Sequence, residues 1–166
     1  MQVGAASVIT AQFDELVRRS IPRRRGLKAW EILLRAHATL VRQLELEIAE
    51  ETGVTLGDFD VMGQLAQAGG ELRMSDLARR AFSSRSGLTR RVDRLVDEGL
   101  VRRSGAEGDG RGVMVALTKA GLKRLNKILP VHLRGVAKHF VSQLDDEELS
   151  SLERALTKVI VDCEFG

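Results

Sequence analysis

At 166 residues the chain is long enough to bury one substantial core and short for two comfortable domains. Its 43% hydrophobic and 30% charged residues are ordinary for a soluble protein, whereas a 4% aromatic share with no tyrosine argues against a carbohydrate-binding or base-stacking module. The net charge of +3 is modest, and its distribution says more than its size: Met1–Gly26 carries five Arg against two acids, Leu27–Leu72 three bases against eight acids, and Arg73–Arg111 ten bases, all Arg, against six.

An arginine-only basic segment suits phosphate and guanine recognition, because the planar guanidinium fork donates two parallel hydrogen bonds where an ammonium offers a point charge. No apolar run reaches the ~20 residues of a membrane span, and the N-terminus shows no basic region leading into an apolar stretch, so a cytoplasmic protein without membrane contact is expected. The single cysteine, Cys163, excludes a disulfide within one chain and fits a reducing compartment.

In chain order, Val8, Ile9, Phe13, Leu16 and Val17 are spaced as a helix over Ala5–Ser20, ended by Ile21-Pro22 and a run of three Arg to Gly26. Trp30, Leu33, Leu34, His37, Leu40, Val41, Leu44 and Ile48 then form one stripe of a long helix ending near Gly53. Thr55 is placed to cap a helix through Phe59, Val61, Met62 and Leu65 that stops at Gly69-Gly70. Leu72-Arg73-Met74 reads as extended. Ser75 then caps a brief helix, and after a turn at Ala81-Phe82-Ser83 another helix starts at Ser83 or Ser84 and closes at Gly99. Leu100–Ser104 and Val113–Leu117 are strand-like and flank a glycine-rich, charged connection, which predicts a hairpin. Thr118 caps a long helix carrying Pro130, expected to kink it, and Asp145 or Asp146 opens the last helix.

Two short helices joined by a turn and followed by a hairpin predict a winged helix-turn-helix. On the second helix a step of 100° per residue turns Leu88, Val92, Leu95 and Val96 inward and Ser86, Arg90, Asp93, Arg94 and Asp97 outward. Its first turn, with Ser84, Arg85 and Ser86, is the end that such proteins present to base edges. Arg85 and Arg90 suit guanine in the major groove, and Ser84, Ser86 and Thr89 suit bases or phosphates. Arg111, flanked by glycines at the hairpin tip, has the reach for a minor groove. Asp109 beside it would repel phosphate if unpaired, so its expected role is to fix the loop through Arg94 or Arg103.

Four pieces of text in this order resemble the multiple-antibiotic-resistance regulator (MarR) family. They are Met74-Ser75-Asp76-Leu77-Ala78-Arg79-Arg80, Ser86-Gly87-Leu88-Thr89-Arg90-Arg91-Val92-Asp93-Arg94-Leu95, Gly99-Leu100-Val101-Arg102-Arg103, and Asp109-Gly110-Arg111-Gly112-Val113 continuing through Ala116-Leu117-Thr118-Lys119-Ala120-Gly121. The resemblance runs from about Leu27 to the C-terminus. It implies an all-α fold with a small β-hairpin wing, assembled as an intertwined helical homodimer on double-stranded DNA. On that reading 1–26 is an N-terminal extension and 27–166 the family domain, with the winged helix-turn-helix at 55–117 and dimerisation helices at 27–52 and 118–163. Long apolar stripes exceed what one small lobe can bury, which agrees with a dimer. A twofold dimer sets its recognition helices about 34 Å apart and selects a pseudo-palindromic operator.

The resemblance further implies a small-molecule pocket between the dimer region and each lobe. Trp30, Arg35, His37 and His132 are its candidate residues, suited to an aromatic or phenolic anion; the competing reading makes Trp30 a core filler and each His a satisfied buried group. His132 and His139 lack the Cys or carboxylate neighbours of a metal site, and Asp162 and Glu164 beside Cys163 disfavour a thiolate; no metal or other cofactor is expected. No phosphate loop, nucleophile elbow or zinc-protease motif supports an enzyme. A winged-helix module that binds protein instead of DNA is the alternative, though such a module has no need to keep Arg85, Arg90 and Arg111 basic. Repression is favoured over activation because occluding a promoter needs no second domain.

Overall fold

A computed structural model describes residues 3–20, 24–81, 85–105 and 112–165, with side chains over 9–20, 26–81, 86–105 and 112–161. The chain divides into two compact units, Met1–Val41 and Arg42–Gly166. In the first unit, α1 (Val3–Ser20) turns Ile9, Phe13 and Leu16 to solvent, and the opening of α2 (Arg24–Thr52) does the same with Trp30 and Leu34. Arg18 and Arg19, at i+3 and i+4 from Glu15, pair with its carboxylate and hold it below the usual carboxylate range.

The second unit begins with the last turns of α2 and holds the core. There α3 (Leu56–Gln67) contributes Val61, Met62 and Leu65, α4 (Met74–Arg80) Leu77, α5 (Arg85–Asp97) Leu88, Val92 and Leu95, and α6 (Lys119–His139) Leu125 and Ile128. Ile48 of α2 is also fully enclosed. A short 3-10 turn at Val141–Gln143 leads to α7 (Asp146–Phe165).

Side chains terminate these helices where the sequence predicts. Thr55 Oγ1 accepts from the Asp58 amide at 3.2 Å, and Thr118 Oγ1 accepts from the Gly121 amide at 3.0 Å. Before α7, the Asp145 carboxylate accepts from the Glu148 amide at 2.8 Å while the Glu148 carboxylate accepts from the Asp145 amide at 3.0 Å, a reciprocal capping box. Ser75 is different: the cap of α4 falls two residues earlier, at Arg73, which is still the last residue of a strand and makes no side-chain cap.

That strand enlarges the predicted hairpin. β2 (Val101–Gly105) and β3 (Val113–Leu117) pair antiparallel, Val101 opposite Leu117 and Gly105 opposite Val113. β1 (Glu71–Arg73) pairs with the other edge of β3, giving the order β1-β3-β2. β3 is therefore central, and its Val115 is fully buried. Gly99, at φ 69°, makes the left-handed turn that ends α5 and lets the Leu100 amide reach back to the Leu95 carbonyl. α6 runs unbroken through Pro130. Among the described residues no helix is long and apolar enough to cross a membrane.

Candidate nucleic-acid interface

α5 has one face in the core and one in solvent. Leu88, Val92 and Leu95 are enclosed, whereas Ser86, Thr89, Arg90, Asp93 and Asp97 are exposed. The first turn contains no acid, so no carboxylate of that turn offsets the positive dipole end of the helix, which favours an approaching phosphate. Arg85 opens the helix. Its side chain, like Ser84, Asp109 and Arg111, lies outside the described residues.

Two arginines are engaged within the fold. Arg94 is exposed, as its place on the outward face predicts, and it reaches α3, where its Nη2 donates to both carboxylate oxygens of Asp58 at 2.5 Å. Asp58 is only 6% exposed, and its hydrogen bond first, then its charge, raises the Arg94 pKa above the ordinary value. A buried carboxylate needs such a partner, and Arg94 supplies it while its own side chain stays half exposed on α5. Arg103 on β2 pairs with Asp93 and reaches the Thr89 carbonyl at 3.5 Å, which braces the base of the hairpin against the middle of α5. Both Arg proposed as partners of Asp109 thus have partners elsewhere. Asp58 has no role in the sequence reading, and Asp93 stands there only as an outward residue of α5 without its ion pair. Thr55-x-x-Asp58 has the spacing of a helix cap, but no local signal reports an ion pair spanning 36 residues.

The four residues expected to hold an effector fall in different units. In the N-terminal unit, Trp30 is 55% exposed and Arg35 and His37 are exposed, so Trp30 is not a core filler within this chain. In the other unit, His132 on α6 stacks on Phe59 of α3 with ring centroids 4.7 Å apart and planes tilted by 42°. Burial pushes its pKa down, and its Nδ1 is enclosed without a hydrogen-bond partner among the described residues. The expectation of a satisfied buried histidine is therefore corrected at this nitrogen. His139 is held by Glu47 at 2.7 Å, and among the described residues no group of three or more His, Cys, Asp or Glu is arranged to hold a metal.

Residues 52–112 match the model of the MarR family. This stretch takes in α3, the α4–α5 pair and the first strand of the hairpin. AbsC from Streptomyces coelicolor, a MarR family transcriptional regulator, is 32% identical and superposes with a TM-score of 0.77 over 87% of this chain and 97% of its own. The chain belongs to the MarR family of transcriptional regulators. A second MarR regulator of Streptomyces coelicolor, Sco3205, solved in complex with DNA, is 27% identical, with a TM-score of 0.77 over 85% of this chain and 92% of that one. The transcriptional regulator PecS of Dickeya dadantii is 30% identical over 104 residues, which are 61% of this MarR-family chain and 62% of PecS. The chain thus spans less than two thirds of that relative.

Proposed function

We propose that this chain is a cytoplasmic, homodimeric repressor that reads a pseudo-palindromic operator with α5 and with the hairpin between β2 and β3. The exposed Ser86, Thr89 and Arg90 on a helix whose other face is locked into the core carry this reading, and the similarity to a regulator solved on DNA supports it. Ser84, Arg85, Asp109 and Arg111 complete the proposed contact set. Arg94 is assigned instead to the support of α5.

A dimer is supported by the apolar side chains that the single chain leaves in water, among them Phe13, Trp30, Leu34, Leu133 and Ile160. A specific stable interface removes roughly 800 Å² from water on each partner, and its centre is made of apolar side chains such as these. Occupying a promoter as a dimer is sufficient for repression. A small aromatic anion is the effector class proposed; the cleft of about 400 Å³ beside Val54 and Leu100 carries Asp58 and Glu98 as well as Arg94 and Arg124, so its wall offers such an anion no net positive charge.

The test measures binding of the purified protein to its own upstream intergenic DNA and to a scrambled duplex at two salt concentrations, with Arg90→Ala and Arg111→Ala alongside. Selective, salt-sensitive binding as a dimer, weakened by both substitutions, is expected. Equal weak binding to both duplexes would count against operator reading and favour a protein-binding winged helix.

A further inference from the structure

Arg91 and Arg94 stand one turn apart on α5 and grip the first turn of α3. Arg91 Nη1 donates to the Thr55 hydroxyl, the N-cap of α3, at 3.2 Å and lies 3.6 Å from Asp58 Oδ1. Its guanidinium fills the space above Gly57, where any Cβ would overlap Nη1 and Cζ. Arg91 Nε is enclosed and has no hydrogen-bond partner among the described residues, so the side chain accepts a cost in order to lie there. Arg94 adds the pair of 2.5 Å hydrogen bonds to Asp58.

The apolar face of α5 resists separation of the helix from the core, yet apolar contact is non-directional and resists rotation about the helix axis weakly. Charge-assisted hydrogen bonds from two arginines to fixed points on α3 are directional and oppose that rotation. We infer that Gly57 and Asp58 are positioning residues for operator reading, which act through Arg91 and Arg94 to set the roll of α5 and thereby which side chains meet base edges. This rests on the proposal that α5 reads DNA. Both residues are away from the exposed face of α5, so they influence recognition without touching the duplex.

Gly57→Ala separates positioning from stability. Alanine is the better helix former, so the substitution favours α3 while its methyl displaces the Arg91 guanidinium. The full-length wild type, Gly57→Ala and Asp58→Asn are compared on a duplex that the wild type selects from a randomised pool and on a scrambled duplex of equal length. Gly57→Ala is expected to keep or raise the melting temperature and to lose about tenfold in affinity for the selected duplex, a loss comparable to that of one good base contact. Its affinity for the scrambled duplex should be unchanged, and Asp58→Asn should shift selectivity in the same sense. Wild-type affinity of Gly57→Ala for the selected duplex, or an equal loss on both duplexes, overturns the inference.

A wild type that selects no duplex defeats the DNA reading itself. Amide hydrogen exchange then judges the clamp without DNA. Faster exchange along α5 in Gly57→Ala, with α3 still protected, supports it, and unchanged exchange in α5 overturns it.

Discussion

Glu47 Oε1 of α2 lies 2.7 Å from His139 Nε2 and 3.3 Å from Lys138 Nζ, so one carboxylate fastens the C-terminal end of α6 to α2. The helices meet closely here: a Cβ on Gly135 would come within 2.6 Å of Leu44 Cδ2 and 2.8 Å of Glu47 Oε2. The His139 hydrogen bond is the main reason that the Glu47 pKa falls to about 2 from 4.5. A carboxyl more acidic in the folded state stabilises that state fully above its unfolded pKa and loses the contribution as it is protonated. Melting temperatures of the wild type and Glu47→Gln should therefore differ most above pH 4.5 and converge as the pH falls toward 2. Parallel curves over this window would rule out the linkage.

His132 titrates in a different window. Burial lowers its folded pKa below 6.5, so the neutral ring favours the folded state above pH 6.5, and this advantage is lost as the pH falls from 6.5 toward the lower folded value. His132→Phe keeps an aromatic ring against Phe59 and removes the enclosed, unpaired Nδ1. We expect it to be more stable than the wild type by about 1 kcal/mol, the low end of the cost of an unsatisfied buried group. Its stability should also vary less between pH 6.5 and 5. Urea unfolding at both pH values checks each part.

Two helical glycines should respond to alanine with opposite signs. Gly63 in α3 has nothing within 4 Å of its Cβ position, so Gly63→Ala should stabilise by about 1 kcal/mol through helix propensity. At Gly121 the methyl would overlap the Leu100 carbonyl oxygen and come within 2.7 Å of Leu117 Cδ1. Backbone gives way less readily than a side-chain tip, and Gly121→Ala should cost about 2 kcal/mol as an overpacked site. Denaturant midpoints of the two variants on either side of the wild type would meet this expectation.

On DNA, the kind of contact made by Arg90 is open to measurement. As a guanine contact, Arg90→Ala should cost about 1–3 kcal/mol and relax selectivity at one base pair. As a phosphate contact, the same substitution should weaken all sequences alike and reduce the salt slope by about 1. We expect the first pattern, because Arg90 is exposed on the outward face of α5.

Much of this architecture is local and therefore legible from the sequence. The Thr55 and Thr118 caps, the Gly99 turn and the inward set Leu88, Val92 and Leu95 depend on residues within a few positions of one another. The pairing of β1 with β3 is not local: Leu72 meets Val115, 43 positions on, and an isolated three-residue strand carries little pattern of its own. The ion pairs are harder still. Arg94 has the same period as the exposed residues of its helix, and only the placement of α3 beside α5 reveals that it is bound to Asp58. The cap spacing Thr55-x-x-Asp58 accounts for the backbone bond and hides the buried charge.

Thr118 does more than start α6. Its hydroxyl donates to the Gly99 and Leu100 carbonyls at 2.8 and 3.1 Å, its amide returns to Leu100, and the preceding Leu117 amide binds the Gly70 carbonyl at 2.8 Å. The end of β3, the turn after α5 and the loop before β1 are thus tied at one knot from which a 21-residue rod departs. At 1.5 Å per residue that rod is about 30 Å long. The rod is therefore joined to the root of the hairpin by fixed hydrogen bonds at Thr118 and not by a free loop.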